Sequence, residues 1–338
     1  MNISAKELAK LINVSPATVS MVFNNKPGIS DATRELVLKT AAEYGYAPKK
    51  NEASGASSRI IQLVNYKKHG KVAADTPFFS QLTEGISTEC TRQGCALHIS
   101  YFYETMDIDS QLDALRAVDC EGILLLATEM APSDFRKFRD FSVPIVVVDC
   151  YYDELDYDCV LINNIQGAFN ATNYLIQCGH REIAAIFKAD DGQGHRRYAG
   201  YIEALMEADI RIEDKRIVWI DTEDVRNRNM REESSWILRR IQGCTACVCY
   251  NDEVASNLAA TCLEQKIKVP DKMSIIGIDD SDLANYCEVP LASVKNPIRE
   301  LAKKAAEEIL DLMQEKEVPD SVELKPEIIN RSSVKIIK

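Results

Sequence analysis

From Ile60 to the C-terminus, short apolar runs alternate with amphipathic stretches of helical spacing. The expected strands are IIQLVN (60–65), CALHISYFY (95–103), GILLLA (122–127), PIVVVD (144–149), IAAIFK (183–188), IVWI (217–220), ACVCY (246–250) and SIIGID (274–279). Helices are expected between them at 78–94, 108–118, 132–140, 166–178, 196–209, 228–242, 252–266 and 299–316. Repeated strand–helix units dictate parallel sheets covered on both faces, because a parallel strand needs a crossover and the crossover is usually a helix. This many strands in 338 residues point to two lobes rather than one sheet.

The first fifty residues are different. Ser4 with Glu7 forms a capping box ahead of Leu8, Leu11 and Ile12. Ser15 caps a second helix with Pro16 at its first position, and Val19, Val22 and Phe23 form its apolar side. After Pro27-Gly28, Ser30 caps a third helix, with Asp31 at its positive end, Val37, Ala41 and Tyr44 facing inward, and Gly45 closing it. Two short helices joined by a tight break and braced by a third make a helix-turn-helix, whose second helix enters the major groove of DNA. A three-helix domain that binds protein has the same pattern.

Charge supports the nucleic-acid reading. Residues 1–50 carry seven Lys/Arg against four Asp/Glu, a net +3, whereas the remaining residues carry 33 against 48, a net −15. A basic head on an acidic body must meet DNA through the head alone. No apolar run approaches the roughly 18 residues needed to span a bilayer. The polar MNISAKELAK start reads as no secretory signal, so a cytoplasmic protein without membrane contact is expected. The eleven cysteines are scattered, several of them in apolar runs, and read as buried thiols of a reducing compartment. Cys244, Cys247 and Cys249 have CxxCxC spacing with no second half, so neither a metal nor another cofactor is expected.

The run NVSPATVSMVFNNKPGISDATRELVLKTAAEYGYAP resembles the headpiece of the LacI/GalR family of bacterial regulators. The family pattern V-S-x-x-T-V-S-R-x-L-N, then V-S-x-x-T-R, then G-Y-x-P is matched at Val14, Ser15, Thr18, Val19, Ser20, Asn24, Ser30, Thr33, Arg34, Gly45, Tyr46 and Pro48. The resemblance implies that Thr18, Ser20, Asn24 and Thr33 touch phosphates, with Ser4, Ser15 and Asn25 also on the DNA side, and that Pro16 and Ala17 stand where bases are read. Met21 departs from the pattern, which usually has an arginine that contacts guanine there. The linker KKNEASGASSR (49–59) departs too, because it lacks the leucine that the family wedges into the minor groove from a hinge helix.

The resemblance continues through PFFSQLTEGI, EGILLL, VPIVVVD, INNIQGAFNATNYLIQCGHREIA, RRYAGYIEAL, YNDEVA, SIIGIDDSDLANY and PEIINRSS. It implies a periplasmic-binding-protein-like core of two doubly wound α/β lobes, with crossovers near 160, 291 and 321. The expected organisation is a helix-turn-helix headpiece at 1–48 and a linker at 49–59. One lobe follows from 60–160 with 292–321, and a second from 161–291 with 322–338. Ligands of such sheets bind beyond the carboxyl ends of the strands. Asp149, Asn251 and Asp279 stand at such ends, and Arg197 opens the helix RYAGYIEAL; all four match effector-contacting positions of the family. Asp252 is expected to cap the helix at 252–266. Phe78 and Phe79 either stack on a ligand or begin a helix in the core, and Tyr66 is a weaker candidate of the same kind. His180 reads as structural, and His195 has no acid–base partner in view.

These readings imply a DNA-binding transcriptional regulator, expected to be a repressor. It would act as a homodimer on a near-palindromic operator, with affinity set by a small polar effector, expected to be a carbohydrate, between the lobes. A solute-binding protein of the same fold has no use for the headpiece. An enzyme is disfavoured because the chain has no Gly-rich phosphate loop, zinc-spaced His/Cys set or nucleophile elbow.

Overall fold

The computed structural model describes residues 5–12, 14–15, 18–19, 22, 31–43, 59–68, 77–154, 156–221 and 230–337. The chain divides into two compact units, Met1–Ser58 and Arg59–Lys338.

In the first unit, α1 (Ala5–Leu11) and α2 (Asp31–Glu43) accompany helical turns at Thr18–Val19 and Val22. Leu8, Ala9, Val19, Val22, Val37 and Ala41 form its core. The Ser15 hydroxyl accepts the Thr18 backbone N–H at 3.0 Å, which is the cap expected for the second helix. Arg34 donates to the Val22 carbonyl at 3.3 Å and ties α2 to that helix. Leu11 departs from expectation: it is exposed, and Ala9 takes the inward place beside Leu8. Phe23, Tyr44, Ser30 and the linker before Arg59 lie outside the described residues.

Among the described residues, the second unit holds two six-stranded sheets. The first contains β1 (Arg59–Lys67), β2 (Cys95–Tyr103), β3 (Gly122–Leu126), β4 (Ile145–Val148), β5 (Asp158–Ile162) and β11 (Ser321–Leu324) in the order β11-β5-β4-β3-β1-β2. Every pairing in it is parallel. The second contains β6 (Ile183–Lys188), β7 (Ile217–Ile220), β8 (Ala246–Cys249), β9 (Ser274–Asp279), β10 (Ala292–Lys295) and β12 (Glu327–Ile329) in the order β12-β10-β9-β8-β6-β7. Its pairings are parallel except that β12 runs antiparallel to β10.

The helices are α3 (Pro77–Arg92), α4 (Ile108–Arg116), α5 (Asn164–Gln177), α6 (Gly192–Glu207), α7 (Met230–Arg240), α8 (Asp252–Glu264), α9 (Asp282–Tyr286) and α10 (Ile298–Leu312). The stretch expected as a helix at 132–140 is a 3-10 turn over Pro132–Phe138.

Each sheet separates two apolar clusters, so each lobe is wound on both faces. In the first lobe Ile61, Leu63, Leu124, Leu126, Val146 and Val148 point to one cluster. Their neighbours Val64, Ile123, Leu125 and Val147 point to the other. This is why the strands read as continuous apolar runs rather than alternating ones. Nine of the eleven cysteines are buried; Cys247 and Cys249 sit in the second lobe's core.

The chain changes lobe after Ile162, after Lys295 and after Leu324. The expected crossovers near 160, 291 and 321 each come a few residues too early. Ala292–Lys295, expected in the first lobe, pairs with β9 and β12 in the second. Ser321–Leu324, expected partly in the second lobe, pairs with β5 in the first.

One buried group works against the fold. Glu308 on α10 is buried, and its Oε1 has no hydrogen-bond partner. Burial first, then the carboxylate of Asp158, push its pKa from 4.5 to about 7. A carboxyl raised in the folded state favours folding in its neutral form, so stability falls as pH rises from about 4.5 to about 7. Glu308→Gln should therefore stabilise the protein at pH 8 by up to roughly 2–3 kcal/mol and change little at pH 4. Thermal melts at the two pH values would measure this, and an equal effect at both would contradict it.

Candidate functional site

Three carboxyl strand ends converge between the lobes. Asp149 follows β4, Asp279 ends β9 and Asn251 follows β8. Asp149 and Asp279 adopt positive φ, 61° and 112°. Non-glycine residues rarely hold such angles, and where they do the surroundings must over-determine them. Here hydrogen bonds help to do so. Thr128 Oγ1 donates to Asp149 Oδ2 at 2.8 Å, and Asn296 Nδ2 donates to Asp279 Oδ1 at 2.9 Å.

Arg197 on α6 lies at the centre of this group and is 6% exposed. Its Nε donates to Asn164 Oδ1 at 2.7 Å, and its Nη1 donates to the Tyr250 carbonyl. Its Nη2 is 3.6 Å from Asp279 Oδ1, and the guanidinium lies over the Tyr250 ring at 4.5 Å. The Tyr250 hydroxyl donates to Asp191 Oδ2 at 2.6 Å, and Asp191 also pairs with Lys188 at 3.3 Å. Burial opposes the charge on Arg197, but Tyr250, Asp279, Asp191 and Asp149 outweigh it and hold the pKa above the ordinary arginine value. The same burial pushes Asp149 and Asp279 up to about 6. Acidic groups outnumber basic ones here, and the carboxylates are incompletely neutralised.

Local sequence explains the geometry. Helix α6 starts at Gly192, four residues before the expected start, with Asp191 as its N-cap accepting the Gly194 N–H at 2.7 Å. Only glycine fits at 194, since a Cβ there would lie 1.8 Å from the Lys188 carbonyl oxygen. On α8 the cap is Asn251, whose Oδ1 accepts the Val254 N–H at 3.0 Å, and not Asp252 as expected. Asp252 is instead buried, accepting Ser293 Oγ at 2.6 Å and the Ser281 N–H at 2.7 Å, and burial pushes it up to about 7. Gly277 makes room for it: a Cβ at 277 would lie 2.2 Å from Asp252 Oδ1.

Beside this network lies a cavity of about 470 Å³. The first lobe contributes Phe78 and Gln81 from α3, and the second contributes Asn251 and Glu253 at the start of α8, with Asp279 and Ser281 after β9. Phe78 therefore faces the cavity. Phe79 packs on the first lobe's core and meets the Phe78 ring edge-on. Tyr66 stands apart: its ring is 1% exposed, stacked on Phe102, with its hydroxyl accepting from Lys137 Nζ at 3.1 Å. The structure places Tyr66 in the core because its ring belongs to the aromatic cluster on the opposite face of the sheet from α3.

The network also contains residues that sequence reasoning passed over. Gln193 Nε2 donates to the Asp149 carbonyl, and Gln193 Oε1 accepts from Asn164 Nδ2 at 2.7 Å. Arg196 Nη2 donates to the Tyr151 carbonyl at 2.5 Å. Gln193 and Arg196 on α6 of the second lobe thus hold backbone just beyond β4 of the first. The doubled Asn163-Asn164 after an apolar run was the available signal for a cap at a crossover. His180 is buried, its ring nitrogens 2.9 Å from Thr245 Oγ1 and 3.2 Å from the Lys335 carbonyl, in keeping with a structural role. His195 is exposed against Trp219, with ring centroids 5.1 Å apart.

Of the DNA-side candidates, Ser15, Thr18 and Thr33 are described. Ser15 and Thr18 share a hydroxyl–hydroxyl bond of 2.8 Å, and Thr33 is half-buried on α2. Ser4, Pro16, Ala17, Ser20, Met21, Asn24 and Asn25 lie outside the described residues.

Comparison with known proteins agrees with both units. Residues 4–49 match the family described as bacterial regulatory proteins, lacI family, and residues 172–334 match a periplasmic binding protein-like domain. The chain is 30% identical to a protein of Vibrio atlanticus named HTH-type transcriptional repressor PurR, over 98% of each chain. It is 26% identical to a protein of that name from Actinobacillus pleuropneumoniae, again over 98% of each. Among solved structures it resembles the transcriptional regulator CelR in complex with cellobiose, with a TM-score of 0.73, 24% identity, and 98% and 100% of the two chains covered. It also resembles the lac repressor dimer bound to operator and the anti-inducer ONPF, with a TM-score of 0.72, 20% identity, and 99% and 100% covered. An Enterococcus faecium LacI family regulator with bound ribose matches with a TM-score of 0.68 and 23% identity, over 83% of this chain and 100% of that one. The headpiece, the two parallel lobes and the full-length relatives agree: the chain belongs to the LacI family of bacterial transcriptional regulators, a DNA-binding and non-enzymatic family with a periplasmic-binding-protein-like effector domain.

Proposed function

We propose that the protein represses transcription from a near-palindromic operator, bound as a homodimer, and that a small polar effector, a carbohydrate or related metabolite, sets its operator affinity from the cavity between the lobes. As a LacI-family regulator it works in the cytoplasm, where its DNA is. The observation that carries the effector reading is the cavity of about 470 Å³ with polar side chains from both lobes beside the Asp149–Arg197–Asp279 network. Its size suits a small metabolite, and its amides, hydroxyls and carboxylates suit a polyhydroxylated one. The structures of relatives named with cellobiose and with ribose support the carbohydrate class.

The mechanism is linkage. A ligand touching both lobes favours one arrangement of them. If that arrangement changes headpiece spacing, operator affinity changes, and by the same factor operator changes effector affinity. Gln193 and Arg196 already join the lobes, so effector closure would work with or against these bonds. The test is a thermal-shift screen against sugars, polyols and nucleobases, followed by operator competition with each binder. A binder that raises the melting temperature and leaves operator affinity unchanged would defeat the effector reading.

Base reading on the DNA side rests on few groups: Pro16 and Ala17, Met21, and the amides of Asn24 or Asn25. Phosphate contacts from Thr18, Ser20 and Thr33 position the helix without reading sequence. Methionine at 21 cannot make the bidentate contact to guanine that arginine makes. Met21→Arg should therefore raise affinity for sites bearing a guanine at the facing position by about 1–3 kcal/mol, read by competition at fixed salt. No gain at any guanine-bearing site would place the reading of bases elsewhere.

A further inference from the structure

Among the described residues, the charge around the cavity is one-sided. Asp279 and Glu253 line it, and among the described lining residues there is no lysine or arginine. The polar network behind it contains Asp149, Asp191, Asp252 and Asp279 against Arg197, Lys188 and Arg196. None of these three cations is among the described residues that line the cavity, and Arg196 is held on the Tyr151 carbonyl. Arg197 is buried against Asn164, Tyr250 and Asp279, and Lys188 is buried against Asp190 and Asp191. Asp279 gives its Oδ1 to Asn296 and Arg197, which leaves Oδ2 with acceptor capacity at the cavity wall. The opposite wall carries Phe78, half-buried, with a π-face of the kind that attracts cations.

We propose that this cavity takes a cationic ligand, a primary amine on a polyhydroxylated ring such as an amino sugar, and rejects phosphorylated and carboxylated sugars. The assignment rests on the cavity being the effector site. An ammonium would find acceptors at Asp279 and Glu253, and it would replace charge that the site lacks, while the ring hydroxyls meet Asn251, Ser256 and Asn257. An anion would be placed against two carboxylates with no lysine or arginine among the described lining residues to meet it, which costs affinity by like-charge repulsion.

The test uses the full chain and ligand sets that differ only in charge: hexosamines, their N-acetyl forms and the corresponding hexose 6-phosphates, followed by thermal shift and calorimetry at fixed ionic strength. A hexosamine should bind more tightly than its N-acetyl form. Glu253→Gln and Asp279→Asn should each weaken it by roughly 10- to 100-fold, the size of one charge-assisted hydrogen bond. Glu253 is exposed in the first turn of α8, so Glu253→Gln keeps the test open if Asp279→Asn fails to fold. Equal binding of amine and N-acetyl forms, lost in Phe78→Ala or Gln81→Ala, would overturn the charge assignment and leave the cavity as the effector site. Tightest binding by a 6-phosphate, or no hexosamine binding at millimolar concentration, would also overturn it. Binding indifferent to Phe78→Ala, Gln81→Ala and Asn251→Ala would overturn both the charge assignment and the effector site.

Discussion

Replacing Arg197 with methionine should cost about 3–5 kcal/mol of folding stability and abolish the effector response. The side chain is 6% exposed, and Asp149, Asp191 and Asp279 surround its charge. Removing one member of a buried ionic network leaves the others uncompensated, and that penalty exceeds the value of the pair itself. The Asn164 side chain and the Tyr250 carbonyl would each lose a donor as well. The loss should depend on pH. Asp149 and Asp279 already stand near 6 with the guanidinium present, and without it they move higher. A raised carboxyl is tolerated when neutral and destabilises when ionised, so the loss should be largest at pH 8 and shrink as pH falls below 6. Arg197→Lys keeps a charge but not the planar fork, and should fall between. Urea melts at pH 8 and pH 5.5 would measure both. A loss independent of pH would mean that Arg197 acts by packing alone. Measured well below its melting temperature, the mutant should keep nearly wild-type operator affinity, because the DNA-side residues all lie in Met1–Ser58.

The sequence was most legible where a strand is long and buried on both faces. The strands β6 and β9 have the bounds that their apolar runs announce, since a run of six almost wholly buried residues between turn signals leaves little choice. Four strands went unread: β5, β10, β11 and β12. They are three to five residues long, and Ser321–Leu324 and Glu327–Ile329 at sheet edges are half polar. Segments so short show no periodicity of their own, and their pairing partners are distant in sequence. All four flank a change of lobe, so missing them also shifted the expected crossovers. The early start of α6 was hidden by Gly192 and Gly194, which propensity counts against a helix. Tertiary contact requires the second of them. Strand ends led to Asp149, Asn251 and Asp279, because each stands at the end of a readable apolar run. The exchange of roles between Asn251 and Asp252 was not readable. Either residue can cap a helix, and only the buried hydroxyl of Ser293 and the space at Gly277 assign the carboxylate inward. Tyr66 reads beside the cavity candidates because the run IIQLVN does not show which face of β1 looks toward α3; the two-residue period puts it on the face of Val64, in the aromatic cluster of Phe102 and Phe138.

A chain shortened to Arg59–Lys338 should fold, bind effector and lose operator binding altogether. Its two sheets carry four apolar clusters drawn wholly from residues after 59. It is a compact unit by itself, so removal of residues 1–58 takes away no described strand of either sheet and none of the described residues that line the cavity. What removal does take is the basic charge. Residues 1–58 carry seven Lys/Arg against five Asp/Glu, and the rest carry 33 against 47, a net −14. A body of that charge repels a phosphate backbone, so neither specific nor non-specific binding should survive at physiological salt. The expected result is a melting temperature and effector shift close to those of the full chain, with no retention on operator DNA even at low salt. The full chain should be retained and released steeply as salt rises, because each neutralised phosphate frees a counterion. A shortened chain that still selected operator over random DNA would move the reading of sequence out of the headpiece. One that failed to fold would show the effector unit to depend on residues 1–58 for its stability. Either result would break the division of labour on which the regulatory mechanism rests, in which one unit meets DNA and the other meets the effector.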